Sequence, residues 1–175
     1  MTAIFDQGPA APCPAPFNLA AHVMGRAETQ PDKIALAILR LSGAERWSYA
    51  RLHAAIRGTG TGLLRAGLHP GDRVMMRLGN TVEFPIAYLG AIAVGLVPIP
   101  TSSELTAPEV AGIITTTQPC LILRAGTIAC PETDIPILDE PALEAMRDLP
   151  PAEYDMGDPD RLAYIIYTSG TTGTP

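Results

Sequence analysis

The stretch Leu162–Pro175, LAYIIYTSGTTGTP, joins an apolar run to a run of hydroxyl residues and glycines. The uncharged, mostly apolar residues Leu162–Tyr167 predict a buried β-strand. The next seven residues, Thr168–Thr174, contain five hydroxyl side chains and two glycines. Glycine lets an anion approach the backbone closely, consecutive N–H groups form an anion-binding nest, and hydroxyls add donors. Loops after strands are where α/β folds tend to bind ligands, so the stretch predicts phosphate binding.

Two better-known phosphate motifs do not fit this chain. A Walker A loop requires GxxxxGK[ST], whereas the single lysine, Lys33, follows an aspartate. The glycines of Gly58–Gly62 (GTGTG) lie within a helical pattern and do not open a helix after a strand, so a dinucleotide loop is not predicted there. By composition alone, Thr168–Thr174 is equally compatible with an ordinary surface loop.

Strand and helix patterns alternate along the rest of the chain. Several strands are apolar on both faces, which predicts an α/β fold with a layered, largely parallel sheet and flanking helices. The prolines among residues 1–16 predict a flexible N-terminal arm, and residues 17–175 form one α/β unit. The predicted strands are 33–40, one starting at 46, 73–78, 97–100, 120–123, 135–138 and 162–167; the predicted helices are 17–29, one capped by Ser48, one starting between 81 and 85 and ending at Gly95, 106–117 and 141–147.

The helix that Ser48 caps has an apolar face and a weak centre. Its predicted buried face consists of Leu52, Ala55, Ile56, Leu63 and Leu64. Three glycines, at 58, 60 and 62, interrupt it, and each is less favourable in a helix than alanine by about 1 kcal/mol. The sequence therefore gives weak support to the middle of this helix.

Composition and charge exclude several classes of protein. Twelve basic and eighteen acidic residues give a net charge of −6, so no basic field favours nucleic acid. The 47% hydrophobic content excludes a disordered chain, and Met1–Phe5 lacks the basic start of a signal peptide. The charge-free run Phe84–Ser103 is broken by Gly90, Gly95, Pro98 and Pro100, which predicts a buried helix and strand rather than a membrane span.

Cysteine and histidine spacing predicts no metal site. Cys13, Cys120 and Cys130 are odd in number and widely spaced, which favours reduced thiols in a cytoplasmic protein over zinc or disulfides. His22, His53 and His69 are scattered, so each is interpreted as a structural residue rather than a catalytic base.

The order of residues in Tyr167–Pro175, YTSGTTGTP, resembles the signature [YF]TSG[ST]TGxPKG of the adenylate-forming superfamily, and nine consecutive positions agree. That superfamily includes acyl-CoA synthetases, the adenylation domains of peptide synthetases and firefly luciferase. Weaker likeness follows in the family's order at Trp47–Leu52 (WSYARL, with Arg51 in place of the usual acid), Leu68–Met75 (LHPGDRVM) and Gly90–Pro100 (GAIAVGLVPIP). The resemblance covers Phe17–Pro175 and implies the N-terminal portion of the family's large domain.

This resemblance implies an AMP-forming ligase that uses ATP with Mg²⁺ and a carboxylic acid. The carboxylate attacks the α-phosphorus to give an acyl-adenylate and pyrophosphate, and a thiol, usually coenzyme A, then takes the acyl group. Phe17–Ala20 (FNLA) is similar to the start of benzoate-CoA ligase-like and medium-chain acyl-CoA synthetases, which weakly favours an aromatic or medium-chain acid. The residues implied to bind ATP phosphates are Thr168, Ser169, Gly170, Thr171, Thr172 and Gly173.

The family's lysine, acidic Mg²⁺ ligand, most of its acyl pocket and its C-terminal lid come after the position of Pro175. The chain is therefore expected to be an N-terminal fragment, inactive alone, with no catalytic residue or metal ligand of its own. Two other interpretations stay open: a non-catalytic truncated α/β module that binds an anion or acts only in association, and a flavodoxin-type protein, which would be yellow. An uncovered sheet edge and apolar face are expected to make the isolated chain associate, including as a homodimer.

Overall fold

The computed structural model describes residues 8–9 and 11–167. Within them, five helices and six strands alternate in the order that the sequence predicts up to residue 147. The elements are α1 Leu19–Val23, β1 Ile34–Arg40, β2 Gly43–Ser48, α2 Tyr49–Arg65, β3 Arg73–Arg77, α3 Glu83–Ala93, β4 Val97–Pro100, α4 Ala107–Thr117, β5 Leu121–Arg124, β6 Ile137–Asp139 and α5 Glu140–Met146.

The central sheet has four parallel strands in the order β4–β3–β5–β6. β3 pairs in register with both neighbours, so that Met75 lies between Ile99 and Ile122. The helical connections that link parallel strands cover both faces of such a sheet. This arrangement confirms the predicted α/β fold with a parallel sheet and flanking helices.

The two faces of the sheet pack against different helices. On one face Val74 and Met76 of β3 pack with Ala87 and Ala91 of α3. On the other face Met75, Ile99 and Ile122 pack with Val110 and Ile113 of α4. Because both faces are buried, the short strands are apolar at almost every position, as their sequences indicate.

The strand pair β1–β2 forms a separate antiparallel hairpin beside α2. Its turn is formed by Leu41 and Ser42, and Arg40 pairs with Gly43. β2 therefore starts three residues before the predicted start at 46. A two-residue connection is the commonest hairpin loop, and the pairing of Ala44 and Glu45 extends β2 toward it.

Helix α1 is shorter than the predicted 17–29. The Asn18 side chain caps its start, accepting from the amides of Ala20 and Ala21. After Val23 the chain continues in turns, and the Gly25 amide bonds the His22 carbonyl in a tightened last turn. Glycine is a poor helix former, which is consistent with the helix ending at this point.

Helix α2 is continuous and starts at the predicted cap, because the Ser48 hydroxyl accepts from the Arg51 amide at 3.3 Å. Four of the five predicted face residues are buried, but Leu64 is 39% exposed. At 100° per residue Leu64 lies about 80° from Ile56, at the margin of the apolar stripe.

The glycines of α2 allow close packing of neighbouring helices. A Cβ atom on Gly58 would lie 2.5 Å from the Arg147 carbonyl oxygen, and one on Gly60 would lie 3.1 Å from the Gly90 carbonyl oxygen. A Cβ on Gly62 would collide with the Met146 side chain. These three glycines are buried and allow α2 to pack against α3 and the end of α5. The expectation of a weak helix centre was therefore wrong, because it left out these tertiary contacts.

After α5 the chain forms an irregular strap over α2 and α3, residues 150–161. Its backbone bonds to several elements in turn: the Ala152 amide to the Arg57 carbonyl at 3.1 Å and the Asp155 amide to the Ala93 carbonyl at 2.8 Å. Phe17 and Gly157 form an isolated antiparallel bridge. The strap thereby carries the chain from α5 back to the start of β4.

Candidate functional site

The segment Leu162–Tyr167 lies extended beside β4 but is not a strand. Its side chains alternate regularly, with 163, 165 and 167 partly buried and 162, 164 and 166 exposed. One backbone hydrogen bond joins it to the sheet, from the Ile165 amide to the Pro98 carbonyl at 3.1 Å. The predicted strand at Leu162–Tyr167 is therefore wrong, although its alternation has the period of a strand.

Prolines on β4 explain why no ladder forms. The amides of Val97 and Thr101 donate toward β3, so the nitrogens of the alternate positions, 98 and 100, face the outer edge. Both positions are proline, which has no N–H to donate. The outer edge of β4 thus offers acceptors at these positions but no donors, and Ile165 uses one of those acceptors.

The segment runs in the same direction as β4. Leu162 and Ala163 line a small cleft with Gly95 and Leu96 before β4, and Ile165 bonds at Pro98. Tyr167 packs on the apolar cluster beneath α4 and is the last residue that the structure describes. The chain therefore reaches residue 167 near the carboxyl edge of the sheet, where parallel α/β folds bind ligands.

The predicted phosphate-binding residues, Thr168, Ser169, Gly170, Thr171, Thr172 and Gly173, lie outside the described residues. Their roles stay predictions. What the structure describes is the edge at which Tyr167 arrives.

At that edge, Arg77 connects the loop after β4 to the loop after β5. Arg77 ends β3 and is fully buried. Its Nε and Nη2 atoms donate to the Ala129 carbonyl at 3.0 and 2.7 Å, and Nη2 also donates to the Leu105 carbonyl at 3.0 Å. Its Nη1 atom donates to the Ser102 carbonyl and, at 3.4 Å, to the Thr101 hydroxyl. The guanidinium thus fixes the loop after β4 to the loop after β5.

Arg77 carries its charge without a carboxylate partner among residues 8–9 and 11–167. Burial lowers the pKa of Arg77. An arginine starts so far above neutral pH that the group remains charged. The sequence analysis missed this residue; its signal was an arginine at the carboxyl end of a strand, in RVMMR and again in LILR.

The other stretches that carry the family resemblance serve the fold. Asn18 is buried, caps α1 through its Oδ1 atom, and donates through Nδ2 to the carbonyls of Ile92, Ala93 and Asp155. Arg51 stacks on Trp47, with its Cζ atom 3.6 Å from a ring centroid. Asn18 of the FN start is therefore a helix cap and ties α1 to α3 and to the segment after α5.

Within the described residues, histidines, acids and cysteines do not form a metal site. No group of three such side chains comes together there. His53 stacks on Tyr154 with ring centroids 5.9 Å apart, and burial lowers the pKa of His53. All three cysteines are free. No helix in the described part of the chain is long and apolar enough to cross a membrane.

Two clefts lie away from the carboxyl edge. One of about 90 Å³ lies near Phe17 and Gly95 and is smaller than a typical ligand pocket. The other, of about 400 Å³, is lined by Trp47 and by two arginines and two acids: Arg51, Arg147, Glu144 and Asp148. Its charges are balanced, so it does not favour a polyphosphate.

Comparison with known proteins gives one consistent result. The model of the family described as AMP-binding enzyme matches residues 24–175. The chain is 30% identical to 4-hydroxybenzoate--CoA/benzoate--CoA ligase of Rhodopseudomonas palustris over 184 residues, covering 91% of this chain and 32% of that protein. It is 30% identical to long-chain-fatty-acid--CoA ligase FadD13 of Mycobacterium tuberculosis over 151 residues, covering 74% and 28%.

The solved structures agree with this result. The fatty acyl CoA synthetase of Mycobacterium tuberculosis superposes with a TM-score of 0.74 at 25% identity, covering 87% of this chain and 32% of that one. The chain thus spans less than a third of the length of each of these three proteins. With the family model matching residues 24–175, the chain belongs to the AMP-binding enzyme family of adenylate-forming ligases, and it corresponds to an N-terminal part of such an enzyme.

Proposed function

We propose that this chain is the N-terminal, phosphate-binding part of an ATP-dependent carboxylic acid–CoA ligase. In the reaction, a carboxylate attacks the α-phosphorus of ATP, an acyl-adenylate forms and pyrophosphate leaves. The thiol of coenzyme A then attacks the acyl carbon and AMP leaves. The observation that carries the proposal is the signature Thr168–Gly173, which directly follows a segment that ends near the carboxyl edge of the sheet.

The part proposed for Thr168–Gly173 is to hold the phosphates of ATP with backbone N–H groups and hydroxyls. Such donors stabilise the negative charge that moves onto the leaving pyrophosphate. The bound Mg²⁺ would neutralise phosphate charge. Since no cluster of acids or histidines that could hold a metal occurs in the described part of the chain, we assign no Mg²⁺ ligand to it.

The acid and the location are proposed from relatives and composition. The likeness to a benzoate--CoA ligase supports an aromatic acid, and the equal identity to a long-chain-fatty-acid--CoA ligase supports a fatty acid. We retain an aromatic or medium-chain acid, in aromatic or fatty acid metabolism. Free thiols and ATP use favour a cytoplasmic enzyme.

The test of this function is ATP binding by the 175-residue chain. We expect Mg·ATP to bind and the double variant Thr171→Ala/Thr172→Ala to bind it about tenfold more weakly, since it loses two hydroxyl hydrogen bonds to charged groups. Equilibrium dialysis measures both. The matched control is Thr115→Ala/Thr116→Ala, an adjacent pair on exposed α4 positions whose hydroxyls bond only their own helix.

Activity of the same chain is measured as pyrophosphate release with benzoate and octanoate. We expect none, because the family's adenylation lysine and acidic Mg²⁺ ligand fall outside these residues. Equal ATP binding by the signature and control variants would refute the phosphate role. Binding of ATP without release of pyrophosphate would agree equally with the alternative of a non-catalytic α/β module. Transfer of an acyl group to CoA by a longer form of the protein would exclude that alternative.

A further inference from the structure

The order β4–β3–β5–β6 creates a switch in chain direction between β3 and β5. The connection that leaves β3 leads to β4 on one side of this pair, and the connection that leaves β5 leads to β6 on the other side. Adjacent strands whose outgoing connections lead in opposite directions open a crevice at their carboxyl ends, and ligands of doubly wound sheets bind there. The last residues of β3 and β5 therefore border a candidate binding crevice.

Both of those residues are arginines. Arg77 and Arg124 are direct partners in the parallel register of β3 and β5. Alternation along each strand places Arg77 on the same face as Met75, and Arg124 on the same face as Ile122. The two guanidinium side chains therefore leave the sheet side by side on the face that α4 covers.

Among the described residues, no acid forms an ion pair with either arginine. Asp139, the register partner of Arg124 on β6, uses its Oδ1 atom to cap α5 at the Ala142 amide, 3.1 Å away. Like charges directly opposite each other on neighbouring strands are unfavourable. An anion in the crevice would offset that repulsion.

The two arginines differ in what they offer to a ligand. Arg77 is fully buried, and carbonyl and hydroxyl oxygens accept from all three of its nitrogens. Arg124 is half-buried, and its guanidinium donates to no group in the described part of the chain. Arg124 is thus the side chain able to donate, whereas Arg77 supplies a fixed charge and holds the neighbouring loops.

We propose that the crevice between β3 and β5 binds a phosphate group through Arg124, with Arg77 as its positioning residue. This rests on the proposed function, because the ligands of that function, ATP and coenzyme A, both carry phosphates. Guanidinium groups suit phosphate because they form paired, charge-assisted hydrogen bonds.

The probe is inorganic tripolyphosphate, titrated calorimetrically into the 175-residue chain at several salt concentrations. We expect Arg124→Gln to weaken binding about tenfold and to reduce its salt dependence, as loss of one charge-assisted contact implies. Arg124→Lys should recover part of the affinity, because lysine keeps the positive charge but cannot form the paired hydrogen bonds of a planar guanidinium. The matched control is Arg65→Gln, which removes one exposed positive charge at the end of α2, near the opposite edge of the sheet.

Equal affinity of Arg124→Gln and Arg65→Gln, or no binding of tripolyphosphate by the folded wild-type chain, overturns the proposal. Thr171→Ala/Thr172→Ala separates this result from the proposed function. If only those threonine variants weaken ATP binding, the signature loop stands and the arginine site fails; if only Arg124→Gln weakens it, the reverse holds. Titrations of ATP, coenzyme A and dephospho-coenzyme A then show which phosphate group Arg124 binds.

Discussion

Arg77 is a single residue whose removal is expected to loosen two loops at once. Its guanidinium bonds the carbonyls of Ser102, Leu105 and Ala129. We expect Arg77→Met to lower the free energy of unfolding by about 2–4 kcal/mol, since three carbonyl groups lose hydrogen bonds to a charged donor, worth about 1.5–3 kcal/mol each, and removal of the unpaired charge offsets part of that cost. Urea unfolding, followed by circular dichroism, measures the change.

Two further arginine variants make this prediction specific. Arg77→Lys should be less destabilising than Arg77→Met, because an ammonium keeps the charge but cannot span both loops with a planar fork. Arg65→Met should change the free energy by less than about 0.5 kcal/mol, as expected of an exposed side chain. If Arg77→Met were as stable as Arg65→Met, the guanidinium would not be holding the loops.

At the scale of one helix, glycine in α2 and glycine in α4 should respond in opposite directions to the same substitution. Gly58→Ala would place a Cβ atom 2.5 Å from the Arg147 carbonyl oxygen and 2.8 Å from that of Met146, so α5 has to move. We expect a loss of about 1–3 kcal/mol in the free energy of unfolding, typical of overpacking. Thermal unfolding of purified variants measures it.

The control for Gly58 is Gly112, an exposed glycine inside α4 whose added Cβ would meet nothing within 4 Å. Gly112→Ala should stabilise the chain by about 0.5–1 kcal/mol, because alanine is the better helix former. Stabilisation by both substitutions would mean that α2 and α5 are not in close contact. If both substitutions lowered the free energy of unfolding, the loss caused by Gly58→Ala could not be assigned to overpacking against α5.

The elements that could be predicted from sequence are those with local signals. Helix ends are marked by the chemistry of Ser48 before α2, Thr106 at the start of α4 and Pro119 after it, and the structure has each end where predicted. The apolar runs that begin at Val97 and Leu121 likewise form strands, β4 and β5, as predicted. In each case the deciding residue lies within the element or next to it.

The elements that could not be predicted depend on distant partners. Residues Leu162–Tyr167 have strand composition, but their neighbour in space presents Pro98 and Pro100 at its edge. The glycines of α2 look unfavourable until α3 and α5 are packed against them. Arg77 and Arg124 come together only through the order of the strands. For the candidate site, the sequence thus indicated the phosphate loop but not the two arginines at the carboxyl ends of β3 and β5.

At the scale of the whole molecule, the outer side of the segment beside β4 is an uncovered apolar surface. Leu162, Tyr164 and Ile166 are 58%, 39% and 59% exposed, while their neighbours face the sheet. The segment makes one hydrogen bond to β4, so much of its own backbone is also free to pair with another chain. We expect the isolated chain to associate through this surface, with a weight-average mass that rises with concentration.

Leu162→Glu/Ile166→Glu should keep the chain monomeric at the same concentrations. Two added carboxylates remove apolar area and increase the repulsion between copies that already carry a net charge of −6. Because both side chains are exposed, the unfolding midpoint should not fall. Sedimentation equilibrium measures the mass of the wild-type chain and of each variant.

The control is Leu39→Glu/Leu41→Glu, which places the same charges on the β1–β2 hairpin, where these leucines are 81% and 111% exposed. It should associate like the wild-type chain, apart from a small effect of net charge. If the hairpin variant were the monomeric one, the contact would lie on the hairpin instead. If the wild-type chain stayed monomeric throughout, exposure of Leu162, Tyr164 and Ile166 would be insufficient to drive association.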